Sequence, residues 1–196
     1  LTLGLVTSSQ DLAGDVIERR PVAVDEAQLR TAALAFTGEI SQVPPMVSAL
    51  KVGGERLHAL ARRGIEVTRA PRRVVVSSWE WLEIRLPEAR FRVRCSGGTY
   101  VRTLGHDLGA ALGTGAALGA LRRLRSEPFT IEQSITLAEL ERSTPEEALA
   151  KAGIPLDRAL DVLPAVTLDA EAAAIVGAGG RPPVAPGAGP VAGGPR

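Results

Sequence analysis

Cysteine, aromatic side chains and long apolar runs are all scarce in this chain of 196 residues. Its one cysteine, Cys95, excludes an internal disulfide framework, and neither it nor the two histidines stand at zinc-ligand spacing, so no metal is expected. Aromatic residues make up only 3% of the sequence, so the core has to be packed from aliphatic side chains. No apolar run approaches the ~20 residues that span a bilayer. The first ten residues lack the basic start and cleavage pattern of a signal peptide. A reducing cytoplasm is therefore the expected compartment, with no membrane partner. Net charge is +1, so any nucleic-acid contact must come from local basic clusters rather than a global field. The chain opens on Leu1 with a strand already under way, which predicts a fragment of a longer protein.

The richest stretch runs from Phe91 to Arg125. Phe91, Val93 and Cys95 alternate with Arg92 and Arg94, the period of a strand with one apolar face. Ser96-Gly97-Gly98 breaks it. Leu104, Leu108, Ala111 and Leu112 then fall on one stripe of a helix. Tyr100 and Arg102 project from the mouth of this strand–turn–helix, the place where such folds put their chemistry. After a second break at Gly113-Thr114-Gly115 come Leu118, Leu121 and the cluster Arg122, Arg123 and Arg125.

These residues resemble a known family. CSGGTYVRTLGHDLG followed by LGTGAALGALRRLRSEPF is similar to the block CSKGTYIRTLxxDLGxxLGxxAxxxxLRRxxxGxF of the TruB-type tRNA pseudouridine synthases. Upstream, FTGEISQVPPMVSALKVGGERLHALARRGIEV resembles that family's FxGxxxQxPPxYSAxKxxGxxxYxxARxGxxV. The two blocks are colinear, and the match runs roughly from Leu3 to Leu160.

Elsewhere the pattern predicts strands at Leu1–Leu5 and Arg20–Val24, and a helix Glu26–Ala35 capped by Asp25 with Gln28 closing a capping box. Residues 7–14 read as a polar hairpin turn; Asp11 and Gly14 also fit the family's TDTDDAEG segment. Pro44-Pro45 and Gly53-Gly54 bound an extended excursion before a short helix at Glu55–Arg63. By composition this is a solvated basic face, whereas the resemblance implies an RNA-gripping insertion over residues 43–73. Val74–Leu86 is a long strand whose side-chain parity switches near Ser77-Ser78, the mark of a bulge, and its tryptophans either pack or stack on bases. Phe129 and Ile131 suggest a strand, Thr136 and Thr144 cap two helices, and Asp169 caps Ala170–Val176. The expected fold class is α+β, a mixed, largely antiparallel sheet with packed helices. The expected domains are a catalytic-domain part over 1–163, a short helical segment over 164–176 and a flexible Gly/Pro-rich tail over 177–196.

The resemblance implies isomerisation of uridine to pseudouridine in the T-loop of tRNA, with no cofactor, by a monomeric protein. It makes Arg102 the partner of the catalytic carboxylate, with an ordinary surface salt bridge as the alternative, and Tyr100 a pocket residue, with a core role as the alternative. It makes Leu121 the apolar residue that packs on the flipped base, although a leucine on a helical stripe is otherwise core. Lys51, Arg62, Arg73, Arg122 and Arg123 become phosphate contacts. The family nucleophile lies in a Gly-Thr-Leu-Asp-Pro motif that these residues do not contain, and neither Asp11 nor Asp107 has its context. The polypeptide is therefore expected to be inactive by itself. A non-catalytic tRNA-binding or folding module is the alternative.

Overall fold

The computed structural model describes residues 1–160, 162–164 and 166–182, with the backbone alone at Asp157. Most of the tail expected from Gly177 onward lies outside the described residues. The chain divides into two units, Leu1–Leu121 and Arg122–Arg196.

In the first unit β1 (Thr2–Leu3) and β2 (Leu5–Thr7) are one extended run interrupted at Gly4, which sits at φ +86°. β3 (Val16–Arg19) folds back antiparallel on β2. The strand expected at Arg20–Val24 is thus displaced toward the N-terminus. Its pairing is used up at Arg19 opposite Leu5, and Pro21 has no N–H to extend the ladder. Val22 and Val24 pack on the core instead. α1 (Glu26–Leu34) begins with the expected capping box: Asp25 Oδ1 accepts from Gln28 N at 2.8 Å, and Gln28 Oε1 accepts from Asp25 N at 2.9 Å.

β4 (Gly38–Gln42) leads into the excursion. There β5 (Lys51–Val52) and β6 (Glu55–Arg56) pair across Gly53 and Gly54, both at positive φ, as a tight hairpin requires. α2 (Leu57–Arg62) follows and buries Leu57 and Leu60. β7 (Arg72–Arg85) and β8 (Glu88–Cys95) form the long hairpin, α3 (Val101–Ala111) the signature helix, and β9 (Ala116–Ala117) the last strand.

The sheet order is β4-β7-β8-β1-β9, and every neighbouring pair is antiparallel. The register slips between Val76 and Ser78, where the sequence predicted a bulge, and again between Trp81 and Glu83. These slips let Val76, Trp79, Trp81 and Ile84 all serve the core side of one strand. Trp79 stacks on Phe91 with centroids 4.5 Å apart and Trp81 meets Phe91 edge-on, so the tryptophans pack.

Leu3, Leu29, Ala33, Ala89, Leu108 and Ala116 form the buried core, drawn from α1, α3 and the sheet. Leu104 and Leu108 of α3 are fully buried, whereas Ala111, expected on the same stripe, is exposed. Gly105 and Gly109 take its place on the buried side. A Cβ at Gly109 would collide with the backbone of Gly115 and Ala116, so glycine there is what lets α3 approach β9. A Cβ at Gly105 would meet only the flexible end of Leu1, Cδ1 at 2.7 Å. No helix forms beyond β9 in this unit, and Leu121 is 63% exposed, so it is not a core residue of a helical stripe.

The second unit holds the hairpin β10 (Arg125–Ser126) with β11 (Phe129–Thr130), then α4 (Leu137–Leu140), α5 (Pro145–Ala152), α6 (Leu156–Ala159) and α7 (Ala170–Gly177). Ile131 leaves the expected strand for a 3-10 turn, Ile131–Gln133, capped by Thr130. Thr136 with Glu139 and Thr144 with Glu147 close their capping boxes, and Asp169 caps α7.

The two glycines of α3 give opposite expectations. Gly109→Ala should cost about 1–3 kcal/mol by overpacking. Gly105→Ala should be neutral or stabilising, because helix propensity recovers up to about 1 kcal/mol and Leu1 can rotate away. Urea denaturation midpoints of the two variants check this, and equal midpoints would refute the packing account.

Candidate functional site

The turn between β2 and β3 is built by short polar side chains. Asp11 Oδ1 accepts from the Ser9 hydroxyl at 2.5 Å and from Ala13 N at 3.1 Å, while Asp11 O accepts from the Thr7 hydroxyl at 2.6 Å. A Cβ at Gly14 would collide with Ser8 and Ser9, so the turn needs glycine there. The turn is then stitched to the chain beyond β9: Leu118 N donates to Gln10 O and Leu12 N to Leu118 O, each at 3.0 Å. Thr103, buried on α3, adds a hydroxyl bond of 2.7 Å to Gln10 Oε1.

Arg102 reaches into this frame from the first turn of α3. Its Nη1 donates to Asp11 Oδ2 at 2.9 Å and to Ser9 O at 3.1 Å, and its Nη2 donates to Val47 O at 2.9 Å. Arg102 and Asp11 are about three-quarters buried, at 24% and 25% side-chain exposure, which makes this the most enclosed ion pair among the described residues. Three of the five guanidinium donors are thereby used. The Nε–H and the second Nη2–H have no acceptor among the described residues, and two donors are what a second carboxylate would use.

The sequence reading assigned Asp11 to a turn and gave Arg102 a partner from outside the chain. The turn is as expected. The salt bridge that was the alternative for Arg102 is present, with Asp11 as its acid, and it is enclosed rather than at the surface. Both Asp11 oxygens are committed in this turn, one to the Ser9 hydroxyl and Ala13 N and the other to the guanidinium. Burial opposes its ionisation most strongly, but Ser9, Arg102 and Ala13 N–H together outweigh burial and hold the carboxyl below its ordinary 3.8. Asp107 is the contrasting case. It is half-buried with no hydrogen bond or ion pair among the described residues, and burial raises its carboxyl against the opposing charge of His106.

Tyr100 is the N-cap residue of α3 and is half-buried. Its backbone is held by Gln42, which is 2% exposed: Tyr100 N donates to Gln42 Oε1 at 2.8 Å, and Gln42 Nε2 donates to Tyr100 O at 3.1 Å. Gln42 was not singled out in the sequence; its one signal was its place in the Gln-x-Pro-Pro motif.

Among the basic residues, Lys51 on β5 and Arg62 at the end of α2 are exposed with no acid partner among the described residues. Arg73 is exposed but bonded to Glu39 at 3.0 Å across the β4–β7 pair. An exposed pair of this kind is worth about 0–1 kcal/mol, so Glu39 holds Arg73 only weakly. Arg63 pairs with Glu55. Arg122 and Arg123 belong to the second unit and are exposed outside any helix or strand. In the second unit a cavity of about 350 Å³ is walled by Phe129, Ile154 and Pro155, and in the first unit one of about 200 Å³ is walled by Leu34, Trp79 and Trp81; Arg102 lines neither.

With the geometry in view, comparison with known proteins is decisive. The model of the TruB family pseudouridylate synthase N-terminal domain matches residues 1–101, and that of the tRNA pseudouridylate synthase B C-terminal domain matches residues 102–161. The chain belongs to the TruB family. It is 46% identical over 170 residues to tRNA pseudouridine synthase B of Burkholderia mallei (strain NCTC 10247), covering 87% of this chain and 56% of that protein. It is 47% identical over 173 residues to the protein of the same name from Ralstonia nicotianae (strain ATCC BAA-1114 / GMI1000), covering 86% and 55%. The chain thus spans a little over half the length of these curated relatives. Among solved structures it is similar to one described as a Cbf5-Nop10-Gar1 complex, with a TM-score of 0.62 and 34% identity over 82% of this chain and 46% of that one. It is also similar to one described as an H/ACA RNP bound to a substrate RNA containing 2'-deoxyuridine, with a TM-score of 0.55 and 31% identity over 79% and 43%. The α+β fold with its antiparallel sheet is therefore the fold of TruB-type synthases.

The two aspartates predict opposite pH behaviour. Asp11, with its folded-state pKa depressed, contributes stability present above its unfolded value near 3.8 and lost as pH falls further. Asp11→Asn should cost about 1–3 kcal/mol at pH 7 by leaving Arg102 unpaired. Asp107, with its folded-state pKa raised, loses stability as pH rises through that value, so Asp107→Asn should raise the urea midpoint at pH 7. Denaturation of both variants between pH 3 and 7 measures the signs.

Proposed function

We propose that this chain is the RNA-gripping and arginine-bearing part of a synthase that converts the T-loop uridine of tRNA to pseudouridine. The observation that carries the reading is Arg102, fixed by three bonds from two segments and still holding two donors for a carboxylate. In this reading the nucleophilic aspartate of the Gly-Thr-Leu-Asp-Pro motif comes from residues outside these 196. Arg102 keeps that carboxylate ionised and aimed by a charge-assisted contact that lysine, a point charge, cannot reproduce. Tyr100 lines the pocket of the flipped base, and Leu121, exposed as an apolar side chain, packs against it. Lys51, Arg62, Arg73, Arg122 and Arg123 neutralise phosphates of the T-arm. The protein works as a cytoplasmic monomer without cofactor.

A second reading has one observation in its favour. Arg102 already has an internal acid, Asp11, so it needs no external carboxylate to be neutralised. That arrangement suits a non-catalytic tRNA-binding or folding module. A tritium-release assay on T-arm RNA separates the two. The 196-residue chain should bind without turnover, and the same chain extended by a segment bearing the Gly-Thr-Leu-Asp motif should turn over. Turnover by the chain alone would refute the need for an outside aspartate, and none by the extended chain would favour the binding module.

The phosphate assignments carry their own measurement. Arg123→Ala should weaken T-arm binding and lower the slope of log affinity against log salt by about one unit. An unchanged slope would remove Arg123 from the interface.

A further inference from the structure

Gln42 is a buried amide with both of its polar atoms committed to one distant residue. Its Oε1 takes Tyr100 N–H and its Nε2 reaches Tyr100 O, so it closes a two-bond clamp across 58 residues of sequence. Tyr100 is the N-cap of α3 and its own side chain makes no capping bond, so Gln42 fixes the direction in which the helix starts. Arg102 lies two residues on, in the first turn. Five residues beyond Gln42, on the far side of Pro44-Pro45, Val47 O accepts from Arg102 Nη2. The stem of the excursion is therefore bonded to the arginine loop at two points, both enclosed. Past those points the next segment is pinned in turn: His58 N donates to Ser48 O at 3.1 Å and Leu57 N to Leu50 O at 2.7 Å, which ties α2 to the same stem.

We infer that Gln42 is a positioning residue that couples the basic excursion to the orientation of Arg102. The coupling rests on the proposed RNA-binding reading; the clamp itself does not. Loss of the Gln42 amide strands the Tyr100 N–H, whereas Tyr100 O keeps Leu104 N as a donor at 3.1 Å, so the backbone of residues 99–102 has to find another acceptor. Arg102 keeps its chemistry in such a variant and loses its aim.

The test uses the whole chain labelled with nitrogen-15, with the Arg102 Nε–H resonance assigned by its loss in Arg102→Lys. Gln42→Met keeps the length of the side chain and removes both bonds. It should raise Tyr100 amide exchange at least tenfold and shift the Arg102 resonance, while the amides of β1 and α1 stay in place. Gln42→Glu keeps an oxygen for Tyr100 N–H, should give a smaller change in the same direction, and decides the matter if the methionine variant does not fold. A merely structural Gln42 would lower Tm and leave the Arg102 resonance at its native position, which overturns the proposal. In the unaltered chain, titration with T-arm RNA should move Arg102 Nε–H with the same midpoint as the amides of residues 48–58. Saturation of those amides with Arg102 unmoved overturns the coupling. No response anywhere in the chain refutes the RNA-binding reading, and the exchange data then judge the clamp by themselves.

Discussion

A guanidinium three-quarters withdrawn from water has to be compensated, and the β2–β3 turn and the stem of the excursion are arranged to do so. Arg102 takes a carboxylate oxygen from Asp11, a carbonyl from Ser9 and a carbonyl from Val47. Those acceptors come from the β2–β3 turn and from the stem of the excursion, two segments that share no strand pairing. The cation therefore acts as the joint of the site. Remove it and Asp11 is left as an enclosed anion, while two carbonyls lose their donors.

The turn that meets Arg102 shows how little bulk such a joint requires. Ser8, Ser9, Asp11 and Gly14 satisfy one another within a few residues. The same economy holds where α3 meets β9, since glycine at position 109 brings helix backbone against strand backbone. In a protein with few aromatic residues, close approach of small ones does the packing that rings perform elsewhere. The one aromatic cluster, Trp79, Trp81 and Phe91, sits on the β7–β8 hairpin, where two register slips turn its side chains to the core.

The excursion is ordered at its stem and charged at its tip. Gln42, Val47 and Ser48 tie it down through backbone partners, whereas Lys51 and Arg62 stand in solvent without an acid partner among the described residues. A loop of this length loses conformational freedom on ordering, and the stem bonds offset that cost before any ligand arrives. Arg73, with Glu39 beside it, marks the limit of that free charge on the sheet.

Local signals were legible wherever the physics is local. Capping boxes at Asp25, Thr136 and Thr144, the Gly53-Gly54 turn and the β7 bulge all followed from side-chain type and spacing, because each is settled within a few residues. The strand at Val16–Arg19 was misplaced, since pairing with β2 and not its own pattern decides where it lies. Leu121 looked like core on a helical period, and exposure shows that no helix forms there. Motif resemblance marked Arg102 and Tyr100, but nothing in spacing could say that Asp11, 91 residues away, would hold that arginine, or that Gln42 would clamp the tyrosine backbone. The sequence by itself determined most local elements and the family. Tertiary structure decided the partners, because a hydrogen bond between remote segments depends on where the sheet and α3 bring them, and no local preference encodes that distance.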